Sequence, residues 1–184
     1  MREPRDVTRQ ITVGASAVFA LVGAFVGSGA AGGTPIQNAA GGALAADATL
    51  IAPDVPAFSI WSVIYLGLIA YAVWQFLPGQ SSAERHRRLG YWVAASLVLN
   101  AAWILSIQYD LLPLSVPIIV VLLAVLIQAF LQALQYRPLG TFDALVTDAT
   151  IGLYLGWVAI ATAANTTALL VASGFTGWGL PPEL

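Results

Sequence analysis

Residues 111–134 read LLPLSVPIIVVLLAVLIQAFLQAL and contain no charged side chain. A helix needs roughly 20 apolar residues to cross the hydrocarbon core of a membrane, and this stretch is long enough to do so. Strands of a membrane barrel are shorter, about 10 residues, and alternate in polarity, whereas this stretch is apolar on all sides. It therefore predicts a transmembrane helix.

Four further apolar stretches flank it, separated by charges or by Pro and Gly. Only 9% of the 184 residues are charged, against about 25% in a typical soluble domain. The sequence therefore predicts an all-α integral membrane bundle of five transmembrane helices, forming a single domain over residues 1–184. The predicted spans are residues 11–31, 58–77, 89–107, 111–134 and 149–172, with one long external loop at residues 32–57.

The arginines predict the orientation in the membrane. All seven basic residues are Arg, and with five spans they fall on one side, in the N-terminal tail, the loop after helix two and the loop after helix four. Because basic residues collect on the cytoplasmic side, we expect a multi-pass protein of the cell membrane with its N-terminus cytoplasmic and its C-terminus external. A cleaved signal peptide is the alternative for the first stretch, but its apolar run exceeds the usual 7 to 15 residues.

Three local features carry further expectations. Gly23 and Gly27 form a GxxxG pair, which suits close packing within the bundle or between the subunits of a homodimer. The long external loop is typical either of a lid or of a flexible tether. Residues 141–148 are expected to form an interfacial turn that keeps Asp143 and Asp148 near the headgroups.

Polar and aromatic residues recur at helical spacing on three of the predicted spans. Helices two, three and five run in directions that bring these faces into the same outer half of the bilayer, beneath the long loop. This coincidence predicts a ligand pocket. The predicted pocket residues are Phe58, Trp61, Tyr65, Asn100, Trp103, Trp157, Ala161 and Asn165.

Simpler roles remain open for these residues. Trp and Tyr often form a belt at the membrane surface, and an Asn can simply bond to a neighbouring helix. Trp157 fits a belt least well, since it lies about 20 Å below the outer boundary at 1.5 Å per residue. Gln128, Gln132 and Gln135 on helix four are expected to make hydrogen bonds between helices.

Several kinds of chemistry lack the residues that they need. The chain has no Cys and one histidine, His86, which is expected in an inner loop among arginines. No carboxylate lies at pocket depth, so we predict no catalytic triad, paired-carboxylate site or metal site. The arginines form no nucleic-acid-binding surface. A haem iron would lack a His, Cys or Met ligand there, so any tetrapyrrole would have to be held by stacking, apolar contact and hydrogen bonds.

Three motifs resemble those of the translocator protein family, called tryptophan-rich sensory proteins (TspO) in bacteria. They are PDVPAFSIWSVIY at residues 53–65, LNAAW at residues 99–103 and YLGWVAIATAAN at residues 154–165. Two positions depart from the family pattern. The family often has Trp-x-Pro-Pro before helix two, where this chain has LIAP at residues 50–53, and its Pro-Tyr in helix five is Leu153-Tyr154 here. The chain thus resembles a divergent branch.

The resemblance implies a membrane protein that binds porphyrins, sterol-like lipids or other flat aromatic ligands between the helices. It points to Trp61, Asn100, Trp103, Trp157 and Ala161, with Asn165, as pocket positions. Because acid–base and metal groups are missing, a sensor or carrier for tetrapyrroles is favoured over an enzyme. The alternatives are an enzyme that breaks down bound porphyrin by Trp-dependent redox or photochemistry, and a membrane scaffold that binds no ligand.

Overall fold

The computed structural model describes residues 3–175 and 177 of the chain. The helices are α1 (Pro4–Gly27), α2 (Val55–Trp74), α3 (Glu84–Gln108), α4 (Leu112–Gln135) and α5 (Thr141–Ala172). Each is long and apolar enough to cross a membrane, and the described residues contain no β-strand. The predicted all-α bundle of five transmembrane helices is confirmed. The predicted external C-terminus falls on residues 178–184, which lie outside the described residues.

The helices pack around α3. Helix α3 lies along both α1 and α4, α4 lies along α5, and α2 lies between α1 and α5. The shared core takes at least one buried apolar residue from every helix, including Val13, Leu68, Leu97, Leu122 and Tyr154. Large apolar side chains also cover the outside of the bundle. Four that are about half exposed or more are Val18, Phe25, Val63 and Val120. Such an apolar surface suits contact with lipid hydrocarbon. Helices are stable in that environment because they satisfy their own backbone hydrogen bonds.

Four of the five helices begin earlier than the apolar stretches indicate, while α4 begins one residue later. Helix α1 begins at Pro4, where Glu3 and Asp6 form a reciprocal capping box, and it ends at Gly27, before the left-handed Gly29 (φ 84°). Helix α3 begins at Glu84. The residues expected in the loop after helix two, including His86, therefore lie in the first turns of α3. Hydropathy misses these turns because charged side chains fill them.

The interfacial turn expected at residues 141–148 is helical instead. Helix α5 starts at Thr141 and contains a π-helical segment at Ala144–Ala149. In an α-helix, side chains five residues apart point about 140° away from each other. The wider π turn brings Asp143 and Asp148 toward one neighbour, Arg85 on α3. Asp143 is buried inside the protein.

The GxxxG pair of α1 packs within the chain. A Cβ at Gly23 would lie 2.8 Å from the Cβ of Ala101 on α3, and one at Gly27 would lie 2.8 Å from the side chain of Ile104. These glycines let α1 approach α3 closely, as small residues do in membrane bundles. Since both are used in this contact, they do not support the predicted homodimer, which stays a prediction.

The long loop is attached to the end of α3. It contains two short 3₁₀ turns, Ile36–Asn38 and Ala40–Gly42. Gln108, in the amide orientation that satisfies its neighbours, donates to the Thr34 carbonyl and accepts from the Thr34 N–H, at 2.9 and 3.1 Å. Asp110 Oδ1 accepts from the Ala40 N–H at 2.9 Å. These bonds fix the first half of the loop over the bundle.

Candidate functional site: an aromatic cavity at the long-loop end

Trp61 lies at the centre of an aromatic cluster. It enters from the first turns of α2, which begin with a 3₁₀ turn at Val55–Ser59 capped by Asp54. Its ring lies 5.5 Å from Tyr65, 5.8 Å from Tyr154 and 6.5 Å from Trp157, and Phe58 in turn contacts Trp157 at 5.9 Å. Most of these pairs are edge-to-face, the arrangement that aromatic quadrupoles favour. Helices α2 and α5 are therefore joined by contacts between aromatic rings at this end.

A cavity of about 350 Å³ opens on one side of Trp61. This volume lies within the 300–1,000 Å³ that small-molecule sites usually have. Its walls come from α1, α2, α3 and the long loop, and they are mostly apolar. The lining residues are Ala24, Phe25, Ser28, Ile36, Phe58, Trp61, Tyr65, Asn100, Trp103 and Ile104.

Two polar groups stand together in this cavity. Asn100 is 2% exposed, and its Nδ2 donates to the Tyr65 hydroxyl at 2.7 Å. Asn100 Oδ1 is buried and has no hydrogen-bond partner among the described residues. Tyr65 accepts this one bond, so its O–H remains available to donate. Because buried polar groups are almost always hydrogen-bonded, the pair is suited to a ligand that both donates and accepts.

A second, much smaller cavity lies on the other side of Trp61. It holds about 30 Å³, roughly the volume of one water molecule. Trp157, Ala161 and Asn165 of α5 line it, while Phe58, Trp61 and Trp103 line both cavities. These three aromatic side chains thus form the wall between the two spaces.

Asn165 has both ends of its amide bonded to protein. Its Oδ1 accepts from Trp103 Nε1 at 2.7 Å, and its Nδ2 donates to Ser115 Oγ at 2.8 Å. One buried side chain on α5 thereby connects α3 and α4. Interhelical bonds of this kind are a common use of Asn in membrane helices, so Asn165 acts here as a tie between helices.

The second half of the long loop covers the smaller cavity. Ala43, Leu44, Thr49, Ala52 and Pro53 all line it. The buried hydroxyl of Thr49 has no hydrogen-bond partner within the described part of the chain. Of the two interpretations left open by the sequence, this position favours a lid over a flexible tether.

All eight predicted pocket residues come together at this end of the bundle, but they divide between the two cavities. Tyr65 and Asn100 face the larger one, and Trp157, Ala161 and Asn165 face the smaller one. Sequence reasoning missed the α1 wall formed by Ala24 and Phe25. No signal marked it, because apolar residues of α1 that face a cavity look the same as those that face lipid.

The glutamines of α4 do not behave as expected. Gln128 and Gln135 are exposed and Gln132 is half-buried, and the side-chain hydrogen bonds found among residues 3–175 include none from these three. Interhelical bonding by this face is therefore not seen. The described residues also hold no group of His, Cys, Asp and Glu that could bind a metal ion.

The opposite, arginine-bearing end holds a buried ionic network that the sequence did not predict. Arg85 of α3 pairs with Asp148 and lies 3.6 Å from Asp143, both on α5. It also donates to the carbonyls of Ala133 and Tyr136 at the end of α4. A single guanidinium therefore joins three helices.

Asp143 is the acceptor at the centre of this network. It accepts from Trp74 Nε1, from Thr147 Oγ1 and from the Leu139 N–H, each at 3.0 Å. His86, fully buried, lies 3.8 Å from Asp143 and 2.9 Å from Gln80 Oε1. These contacts fill the space between α2, α3 and α5 with polar atoms.

Together the fold and the site define a class of protein: a multi-pass helical membrane protein with an aromatic cavity under a long loop. A family model described as "TSPO-like protein" matches residues 14–184. The chain belongs to this family, as its three motifs predict. No curated protein and no solved structure matches the chain.

Proposed function

We propose that this TSPO-like membrane protein is a sensor or carrier that binds a flat, mostly apolar ligand at the long-loop end of the bundle. The observation that carries the proposal is the unpartnered Oδ1 of Asn100, buried beside the Tyr65 hydroxyl in a cavity of about 350 Å³. Aromatic walls favour a flat ligand by stacking. The polar pair favours a ligand edge that offers a donor and an acceptor.

Porphyrin-type tetrapyrroles are the ligand class that the family resemblance implies. A cavity of about 350 Å³ is near the lower limit for small-molecule sites, and the smaller cavity adds only about 30 Å³, so a macrocycle needs the side chains around both cavities to move. The two spaces join when the wall formed by Phe58, Trp61 and Trp103 moves. A smaller flat ligand fits the larger cavity alone. Ligand size is therefore the first property to vary in a binding screen.

The test is a titration of the purified protein in detergent with protoporphyrin and with smaller flat ligands, followed by Trp fluorescence. We expect Asn100→Ala to weaken binding by roughly twofold to tenfold, because one hydrogen bond contributes about 0.5–1.5 kcal/mol. Trp157→Ala should weaken protoporphyrin binding more than Trp157→Phe, which keeps a ring. The matched control is Gln132→Ala, which lies on α4 and lines neither cavity.

If Gln132→Ala and Asn100→Ala lose the same amount of ligand affinity, with both variants folded, the ligand does not bind in the cavity that Asn100 lines. The same sample distinguishes a binding protein from an enzyme. Protoporphyrin is incubated with the protein in light and in darkness, and its absorption spectrum is followed. A spectrum that shifts on binding and then stays constant supports a sensor or carrier, whereas loss of the porphyrin bands in light supports breakdown of the ligand.

We also propose that the arginine-bearing end faces the cytoplasm, which places the long loop outside. The support is the confinement of all seven arginines to that end of the predicted topology, since basic residues collect on the cytoplasmic side. Reporter fusions inserted at Gly41 and at Gly79 test it, since both positions are in turns with open space around them. An external signal from Gly79 would reverse the orientation.

A further inference from the structure

A groove of about 280 Å³ lies between the N-terminal ends of α1 and α3, at the end opposite the aromatic cavity. We call it the arginine groove. The residues that line it are Arg5, Asp6, Arg9, Glu84, Arg87, Arg88 and Tyr91. It therefore combines four guanidinium groups with one aromatic ring at the N-terminal ends of two membrane-spanning helices.

Carboxylates within and beside the groove balance three of the four arginines. Arg87 pairs with Asp6 at 2.7 Å, and Arg88 pairs with Glu84 at 2.8 Å. Arg5 pairs with Glu3, which lies next to the groove, at 2.6 Å. Among the described residues, these four guanidinium groups against three carboxylates leave one positive charge, and Arg9 is the arginine that forms no ion pair.

Arg9 forms the floor of the groove. Its side chain is 1% exposed and crosses Gly90 of α3, where a Cβ would lie 2.6 Å from Arg9 Cδ. Its Nη2 donates to the Ser81 carbonyl at 3.0 Å. Nε and Nη1 have no hydrogen-bond partner, and Arg9 makes no ion pair within residues 3–175. A buried, unpaired cation is costly, so an anion close to it is strongly favoured.

Two further features point to an anion that belongs to the membrane. Helices α1 and α3 both begin at the groove, and a helix N-terminus carries partial positive charge. Tyr91, which lines the groove, and the adjacent Trp92 are both more than one-third exposed. Tyr and Trp in such positions typically lie at the level of the lipid headgroups.

We propose that the arginine groove binds the phosphate of an anionic lipid headgroup. One phosphodiester carries one negative charge, which matches the single unbalanced charge of the groove. The exposed Arg5 and Arg88 contact the phosphate directly, while Arg9 attracts it from below through the poorly screened interior. Basic pockets between transmembrane helices bind anionic headgroups on this physical basis. The site is independent of the aromatic cavity.

Native mass spectrometry of the full chain in detergent tests the proposal, with phosphatidylglycerol and phosphatidylcholine of identical acyl chains as probes. We expect phosphatidylglycerol to bind more tightly. Arg5→Gln and Arg88→Gln should each weaken it by about fivefold, since an arginine near an anionic headgroup contributes about 1 kcal/mol. Arg9→Gln should weaken it at least as much. The matched control is Arg137→Gln, an exposed arginine at the same end but outside the groove.

Arg5 and Arg88 are exposed, so their variants should fold even where Arg9→Gln does not, and a thermal melt checks this. Equal binding of the two lipids would overturn the proposal. So would equal losses in Arg88→Gln and Arg137→Gln. A third arm adds glycerol phosphate as competitor at the lipid concentration. Full displacement of phosphatidylglycerol by it would make the groove a soluble-phosphate site and reject the lipid assignment.

Discussion

The two ends of the bundle use polar side chains in opposite ways. At the arginine-bearing end, Arg85, Asp143 and Asp148 are charged and fill the space between helices with ion pairs. At the long-loop end, Asn100 and Tyr65 are neutral and border an open cavity. Charged groups inside a membrane protein usually pair with one another, and in this network the partners come from the protein itself. Neutral groups tolerate a space that is filled only when a ligand arrives.

Removing the central cation of the ionic network should give the largest effect. Arg85→Met leaves Asp143 buried without its charged partner, and breaking a buried pair in this way costs about 3–5 kcal/mol. We expect a large fall in the melting temperature of the purified protein, followed by thermal unfolding in detergent. The double variant Arg85→Met with Asp143→Asn should recover part of the loss, because it also removes the charge of the fully buried carboxylate and leaves only that of the partly exposed Asp148.

Arg137→Met is the control for that experiment, since Arg137 is exposed at the same end. If Arg85→Met and the control have the same melting temperature, the network does not hold α3, α4 and α5 together. The two ends would then differ in which polar residues they contain but not in how much those residues stabilise the bundle.

A smaller loss is expected from a larger side chain at Gly23, near the long-loop end. Gly23→Leu pushes side-chain atoms into Ala101 of α3, and overpacking of this kind costs about 1–3 kcal/mol. Gly14, on the same helix, has nothing within 4 Å of its Cβ position. We expect Gly14→Ala to leave the melting temperature unchanged or to raise it, because Ala is favoured over Gly by about 1 kcal/mol in a helix.

Comparable melting temperatures for Gly23→Leu and Gly14→Ala would contradict the tight packing of α1 on α3. A second measurement on the same samples is the oligomeric state in nanodiscs. Because Gly23 and Gly27 both pack against α3 of the same chain, we expect neither Gly23→Leu nor Gly14→Ala to change the oligomeric state.

The smallest effect separates the two asparagines of the long-loop end. Asn165→Ala removes a partner from both Trp103 and Ser115, and hydrogen bonds between membrane helices contribute about 0.6 kcal/mol each on average. We expect a modest fall in melting temperature without ligand. Asn100→Ala loses one bond, to Tyr65, and removes an unpaired buried acceptor. It should change ligand-free stability less and ligand affinity more.

For both variants, a thermal melt without ligand measures stability, and a binding titration on the same preparations measures ligand affinity. A result in which Asn165→Ala weakens the ligand while Asn100→Ala lowers only the melting temperature would exchange the two roles. The ligand contact would then be in the smaller cavity.

The sequence predicted the long-loop end better than the arginine-bearing end for a physical reason. Helical spacing fixes which residues share a face, so Phe58, Trp61 and Tyr65 could be assigned to one side of α2 before the structure was known. The direction in which each helix crosses the membrane then placed them near the depth of Asn100, with Trp157 deeper. Neither argument depends on which atoms bond to which.

The ionic network depends on pairing between distant parts of the chain. Arg85 and Asp143 are separated by the whole of α4, and nothing local marks them as partners. Hydropathy assigns both to loops, because charge alone ends an apolar stretch. The bonding of Asn165 to Ser115 was missed for the same reason, since a single sequence does not show which helices meet.

The wall between the two cavities consists of side chains and not of backbone. Joining the cavities therefore requires rotation about a few χ angles, chiefly those of Trp61, while every helix keeps its hydrogen bonds. Each pair of aromatic rings that this rotation separates costs about 0.5–1.5 kcal/mol, and a large flat ligand offers stacking of its own in return. If the proposed function holds, we expect this energy balance to set the size of the largest ligand, and a single substitution at position 61 to change that limit.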